Sequence, residues 1–184
     1  MTLLLVLLGV VIAAVLAVVA IYNNLVALRQ AVESAWSQID VQLKRRYDLI
    51  PNLIETVKGY MAHEKQTLES VVQARSQAMQ AGGIAEKAQA ETALTQSLRG
   101  LLAVVERYPD LKANTTMATL QQELATTENR IAMARQVYNE NVMRYNTAVS
   151  TIPSNLVASL GGFKPAEFFA IEEPSQRQAP IVKF

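Results

Sequence analysis

Residues 2–22, TLLLVLLGVVIAAVLAVVAIY, carry no charged side chain, and the first charged side chain in the chain is Arg29. At a rise of ~1.5 Å per residue, about 20 apolar residues cover ~30 Å, the thickness of a bilayer's hydrocarbon core. The run is apolar on every face, whereas a helix in a globular core is apolar along one stripe. No Lys or Arg precedes Leu3, and the run outlasts the apolar core of an ordinary secretory signal. Residues 1–22 therefore read as an uncleaved transmembrane anchor.

From residue 23 the pattern becomes one-sided. Trp36, Ile39, Leu43, Tyr47 and Ile50 recur at spacings of three and four, the period of one helical face. The stripe continues through Ile54, Val57 and Met61, across Pro51. Proline inside a helix removes one backbone hydrogen bond and crowds the carbonyl four residues earlier. Pro51 thus marks a kink in one long helix, which the unbroken stripe favours, or a break. The basic run Lys44-Arg45-Arg46 suits a helix C-terminus and Asp48 a new cap, which favours the break and segments over 23–50 and 51–80.

The second segment has Leu53, Ile54, Val57, Tyr60, Met61, Leu68, Val71, Val72 and Met79 on its face, Gly59 in its interior and Gly82-Gly83 at its end. A third segment over 84–107 shows Ile84, Leu94, Leu98, Leu101 and Val105, followed by a turn at Tyr108-Pro109-Asp110. The fourth, over 114–150, is the most regular, with Met117, Leu120, Leu124, Ile131, Tyr138, Val142, Tyr145 and Val149. Asn114 or Thr115 can cap it, and Pro153 stops it.

Comparable segment lengths and short connections predict an all-α fold: an N-terminal transmembrane helix followed by an up-and-down antiparallel four-helix bundle. The expected domains are the anchor at 1–22, the bundle at 23–169 and an extended, mobile tail at 170–184. In residues 154–169 the period is lost. Leu156, Val157, Leu160, Phe163, Phe168 and Phe169 are nevertheless dense enough that this loop is expected to pack on the bundle. The tail is polar and Pro-containing until Ile181-Val182-Lys183-Phe184. Val182 and Phe184 form a candidate motif for adding a strand to a partner's sheet edge.

Charge and chemistry narrow the function. Lys and Arg number 17 against 16 Asp and Glu, a net charge of +1, so no nucleic-acid partner is expected. There is no cysteine, which excludes disulfides, thiolate metal sites and cysteine nucleophiles. The single histidine, His63, precedes Glu64, but the HExxH motif would need a second histidine where Thr67 stands. A di-iron carboxylate bundle needs two Glu-x-x-His motifs. GxSxG, P-loop and GxGxxG motifs are missing too. No catalytic, cofactor-binding or metal-binding residue is expected, and no cofactor. Arg29 lies on the C-terminal flank of the anchor, which by the positive-inside rule places the bundle in the cytoplasm; the outward orientation stays open.

Two polar clusters remain as candidates. One is Arg45, Arg46, Asp48 and Asn52, beside Lys44, Tyr47 and Glu55. The other is Glu128, Arg130, Arg135 and Asn139, beside Asn129 and Asn141. The structural reading is that Arg–carboxylate pairs between adjacent helices fix register, and that Asp48 and Asn52 satisfy backbone groups freed by Pro51. The functional reading is contact with a partner.

Tyr22-Asn23, Ala35-Trp36, RRYDLIPNLIETVKGYMAHE (45–64), ERYPDLKAN (106–114), TENRIAMARQVYN (127–139) and YNTAVSTIPSNLVASLGGFKPAEFF (145–169) lie along the chain as whole motifs. Together they resemble the bacterial LemA family. The resemblance implies an N-terminally anchored membrane protein with an up-and-down helical bundle and no established catalytic activity. The family in turn resembles a magnetosome membrane protein, which implies a capacity for scaffolding. The function expected is a non-enzymatic scaffold or adaptor at the bacterial plasma membrane, with the lipid bilayer, further copies of itself and a membrane-protein partner as its associates. The alternative is a regulatory subunit of a membrane enzyme such as a protease or transporter.

Overall fold

The computed structural model describes residues 1–61 and 63–170; the tail motif of Val182 and Phe184 lies outside the described residues. The elements are α1 (Thr2–Lys58), α2 (Lys65–Gln80), α3 (Ile84–Val105), α4 (Pro109–Lys112), α5 (Thr115–Ser150) and α6 (Ser154–Leu160). Among the described residues there is no strand. Every residue from Met1 to Ala20 is exposed, so among the described residues nothing covers this apolar surface. Exposed apolar surface on that scale needs a non-aqueous surrounding, and a helix of this length can supply its own backbone hydrogen bonds in lipid.

Pro51 does not break the helix. The 57 residues of α1 run straight through it, and the chain turns at Gly59-Tyr60 instead. The expected break at residue 50, and with it the placing of Gly59 inside a helix, is therefore corrected. The reason lies on α2. Proline at position 51 leaves the Tyr47 carbonyl without its usual donor. Arg75 Nε donates to that carbonyl at 2.8 Å, and the vacancy in the ladder is filled from outside the helix. Asp48 and Asn52, expected to serve this purpose, are both exposed. Arg75→Ala is expected to cost ~1–3 kcal/mol, the desolvation cost of a carbonyl left without a donor. In a Pro51→Ala background the new N–H bonds the carbonyl, so the same change should cost much less. Denaturant melts of the four proteins in detergent close that cycle.

The chain forms two compact units, the first of Met1–Val41 with Ile131–Phe168, and the second built around Gln42–Arg130. In the second unit the end of α1, α2, α3 and the start of α5 lie alternately up and down, as the periodicity predicts. The core comprises Leu43, Ile50, Leu53 and Val57 of α1, Val71, Ala74 and Ala78 of α2, Leu94, Leu98 and Leu101 of α3, and Met117, Leu120 and Leu124 of α5. Helix α2 turns small residues inward, so Val72 and Met79, expected in the core, are exposed; Tyr60 is exposed in the turn. The expected turn at Tyr108-Pro109-Asp110 is wound into the single helical turn α4, with proline at its first position, where no N–H is needed. Asn114 caps α5: its side-chain oxygen accepts from the N–H groups of Thr116 (2.9 Å) and Met117 (3.2 Å).

In the first unit α5 returns antiparallel to α1. Leu25, Val32 and Ile39 pack with Ile131, Tyr138, Val142 and Tyr145, and the Trp36 and Tyr138 rings meet edge-on at 5.4 Å. Residues 154–169 depart from the expected loop: the first seven form α6, whose Val157 and Ala158 are buried. Leu156, Leu160 and Phe168 stay exposed, so the expected packing holds only for Val157, Phe163 and Phe169. Helix α6 closes with paired C-terminal bonds, Phe163 N–H to the Ala158 carbonyl (3.0 Å) and Gly162 N–H to the Ser159 carbonyl (3.4 Å). That closure needs a left-handed residue, and Gly162 supplies it at φ 70°. Phe163 then lies edge-on to Tyr22 at 5.4 Å and beneath the Arg29 guanidinium, also at 5.4 Å.

Candidate functional site

The most concentrated polar chemistry is in the second unit, around Arg46. This residue follows Leu43 by three and precedes Ile50 by four, so the stripe that builds the core also turns Arg46 inward. Its side chain is only 2% exposed. Nη1 donates to Glu128 Oε2 at 2.6 Å and to Thr95 Oγ1 at 3.1 Å, and Nη2 is ion-paired with Glu91. The other Glu91 oxygen accepts from the Tyr47 hydroxyl, which also lies 3.3 Å from the Ala78 carbonyl. Glu91 is buried, while Glu128 is half-exposed and keeps part of its hydration. The network joins α1, α3 and α5 through charge-assisted bonds, and Tyr47 extends it to α2. A cavity of about 160 Å³ adjoins it, with Arg46, Thr95, Gln121 and Glu128 on its polar side and Leu98, Leu102 and Leu124 on its apolar side.

Of the eight sequence candidates, Arg46 and Glu128 meet in this network. Arg45, Asp48, Asn52 and Arg130 are exposed. Arg135 and Asn139 are half-buried and belong to the first unit, apart from the Arg46 network. Sequence reasoning passed over Glu91, Thr95 and Arg75. The signal for Glu91 was present, because it lies three residues before Leu94 and seven before Leu98, in phase with the buried stripe of its helix.

A second feature of this unit is an open groove of about 800 Å³ between the end of α1 and α2. Ile54, Met61, Leu68 and Val72 line it, with Lys58 and Lys65 also contributing. Each lysine has an acidic neighbour on its own helix, Lys58 with Glu55 and Lys65 with Glu69.

In the first unit two tyrosine hydroxyls hold the segment after α6. Tyr138 donates to the Glu167 carbonyl (2.7 Å) and Tyr145 to the Lys164 carbonyl (3.0 Å), while Asn146 bonds Ala166 at both its N–H and its carbonyl. Burial, and next the Glu167 carboxylate, raises the Tyr138 pKa above 10.0. Burial likewise raises Tyr145, with Arg29 opposing and Glu33 assisting. Raised folded-state values favour the neutral phenol. The stabilisation is therefore complete below pH ~10 and lost as pH climbs through the folded values. Thermal melts from pH 7 to 12 should show this alkaline loss, and Tyr138→Phe with Tyr145→Phe should flatten it.

Arg46, Tyr138, Tyr145 and Asn146 are each hydrogen-bonded so as to hold separate segments together. The model of the LemA family matches residues 35–184, most of the chain. The chain belongs to the LemA family. Among its curated relatives, magnetosome protein MamQ 2 of Paramagnetospirillum magneticum is 27% identical over 88% of this chain and 68% of its own length. MamQ of Magnetospirillum gryphiswaldense is 28% identical over the same shares. Protein LemA of Metamycoplasma hominis is 27% identical over 74% of this chain and 63% of its own. The family match begins at Ala35 and takes in Arg46, Glu91 and Glu128, so the Arg46 network lies inside the family's region. The apolar segment, together with the magnetosome relatives, makes this LemA-family chain a membrane-associated protein.

Proposed function

We propose that the protein is a non-enzymatic scaffold or adaptor at the bacterial plasma membrane, anchored by residues 1–22, that self-associates and recruits partners through its bundle. The observation that carries this reading is the fate of the bundle's polar groups. Arg46, Glu91 and Tyr47 are tied to one another inside the bundle, Arg75 bonds the backbone at Pro51, and an apolar groove between α1 and α2 is left open. Chemistry on a substrate needs a reactive group held in reach of solvent; docking needs apolar surface. The magnetosome relatives support the same reading, and the positive-inside count supports a cytoplasmic bundle.

The test is a photo-crosslinking residue at Val72, beside the groove, in native membranes. Crosslinks between copies of the chain are the expected product. A single dominant enzyme in their place would make the protein a regulatory subunit, and crosslinks to lipid alone would remove the scaffold reading.

A further inference from the structure

Helix α6 presents a strongly apolar edge to the outside. Leu156 is 63% exposed and Leu160, one turn on, 89%; Ile152, just before the first turn, is 84% exposed. Leu156 and Leu160 are four residues apart and share a face, while Val157 and Ala158 are turned into the first unit. A soluble surface with three large, exposed apolar side chains grouped in this way is unusual unless something covers it.

Two independent observations fix the height of this edge along α1. The first is register. Trp36 meets Tyr138, and seven residues on in α5, Tyr145 is within the field of Arg29, seven residues back in α1. One more such step brings Ile152 level with Tyr22. The second is direct: Phe163, three residues beyond Leu160, packs edge-on against Tyr22 at 5.4 Å. Tyr22 ends the continuous apolar run, directly before the polar pair Asn23-Asn24, so α6 sits where α1 leaves the lipid. Charge agrees with this placing. Between Glu140 and Glu167 there is no acidic side chain, whereas Arg144 and Lys164 are both exposed and available to anionic headgroups.

We propose that α6 is an interfacial foot: it lays Ile152, Leu156 and Leu160 into the headgroup–acyl boundary of the bilayer that α1 spans. Short amphipathic helices bind there through buried apolar side chains with basic residues near the headgroups. The foot gives the first unit a second, shallow hold on the membrane beside the anchor. The proposal rests on α1 spanning the bilayer, and its test separates the two.

The natural chain has no cysteine, so single cysteines at Leu156 and Leu160 can each carry an environment-sensitive fluorophore without background. Val11→Cys in the anchor and Ser37→Cys on the exposed side of α1 serve as controls. The full chain is placed in nanodiscs containing phosphatidylglycerol and probed with a lipid-borne quencher and with aqueous iodide. Labels at 156 and 160 should be quenched from lipid severalfold more than the label at 37, with emission shifted to the blue. If the label at 11 is quenched from lipid while those at 156 and 160 match the one at 37, the foot is wrong and the anchor stands. If the label at 11 also escapes the lipid quencher, both fall together. Labels at 156 and 160 shielded from both quenchers would mean that protein covers the edge, which also overturns the proposal.

Discussion

Arg46→Ala is expected to lower the unfolding free energy by ~3–5 kcal/mol, because it strands a buried carboxylate with no counter-charge. Glu91 would keep only the Tyr47 hydroxyl, in a setting that excludes water. Glu128, half-exposed, would return to solvent at little cost. Removing all the buried polar partners at once should behave differently. Arg46→Met with Tyr47→Phe and Glu91→Leu should recover most of the loss, since a packed apolar core often equals a buried ion pair in stability. Arg45→Ala and Asp48→Ala, one and two residues away on exposed positions, should stay within ~0.5 kcal/mol of the parent. Chemical denaturation followed by circular dichroism in detergent measures all four proteins. An Arg46→Ala change as mild as Asp48→Ala would mean that the network does not hold the bundle together.

Phe163→Ala is expected to cost ~3–5 kcal/mol, the usual penalty for emptying a buried aromatic site. The ring is nearly sealed, edge-on to Tyr22, under Arg29 and close to Gly161, where a Cβ would come within 2.7 Å of it. Its loss should free α6 from α1 while leaving the Arg46 network, in the other unit, intact. Hydrogen exchange should then rise in 152–168 and remain unchanged at Leu94 and Leu124. Uniform exchange throughout the chain would show that the aromatic contact has no local role.

Much of this architecture can be read from periodicity, and the limits of that reading have physical causes. Helices α3 and α5 and the cap at Asn114 follow from apolar spacing and from one side-chain oxygen, both local in sequence. Arg46 and Glu128 stand out because a charged residue in phase with an apolar stripe must find a partner. Pro51 could not be resolved locally. The donor that lets the helix continue is Arg75, and nothing near residue 51 announces it. Glu91 was passed over because the stripe of its helix was traced through apolar residues alone, and a buried carboxylate interrupts that trace. Helix α6 is too short for its period to register, and its exposed leucines look like core residues until the fold shows which way they face.

The bond from Arg75 to the Tyr47 carbonyl has a consequence for biosynthesis. The ribosome delivers the chain from the amino end, so Tyr47 is made before residue 75 exists. Through that interval the helix beyond the membrane has an unfilled acceptor at Tyr47, and it is completed only when the following hairpin folds back upon it. A single guanidinium thereby makes completion of the first helix depend on a segment synthesised after it.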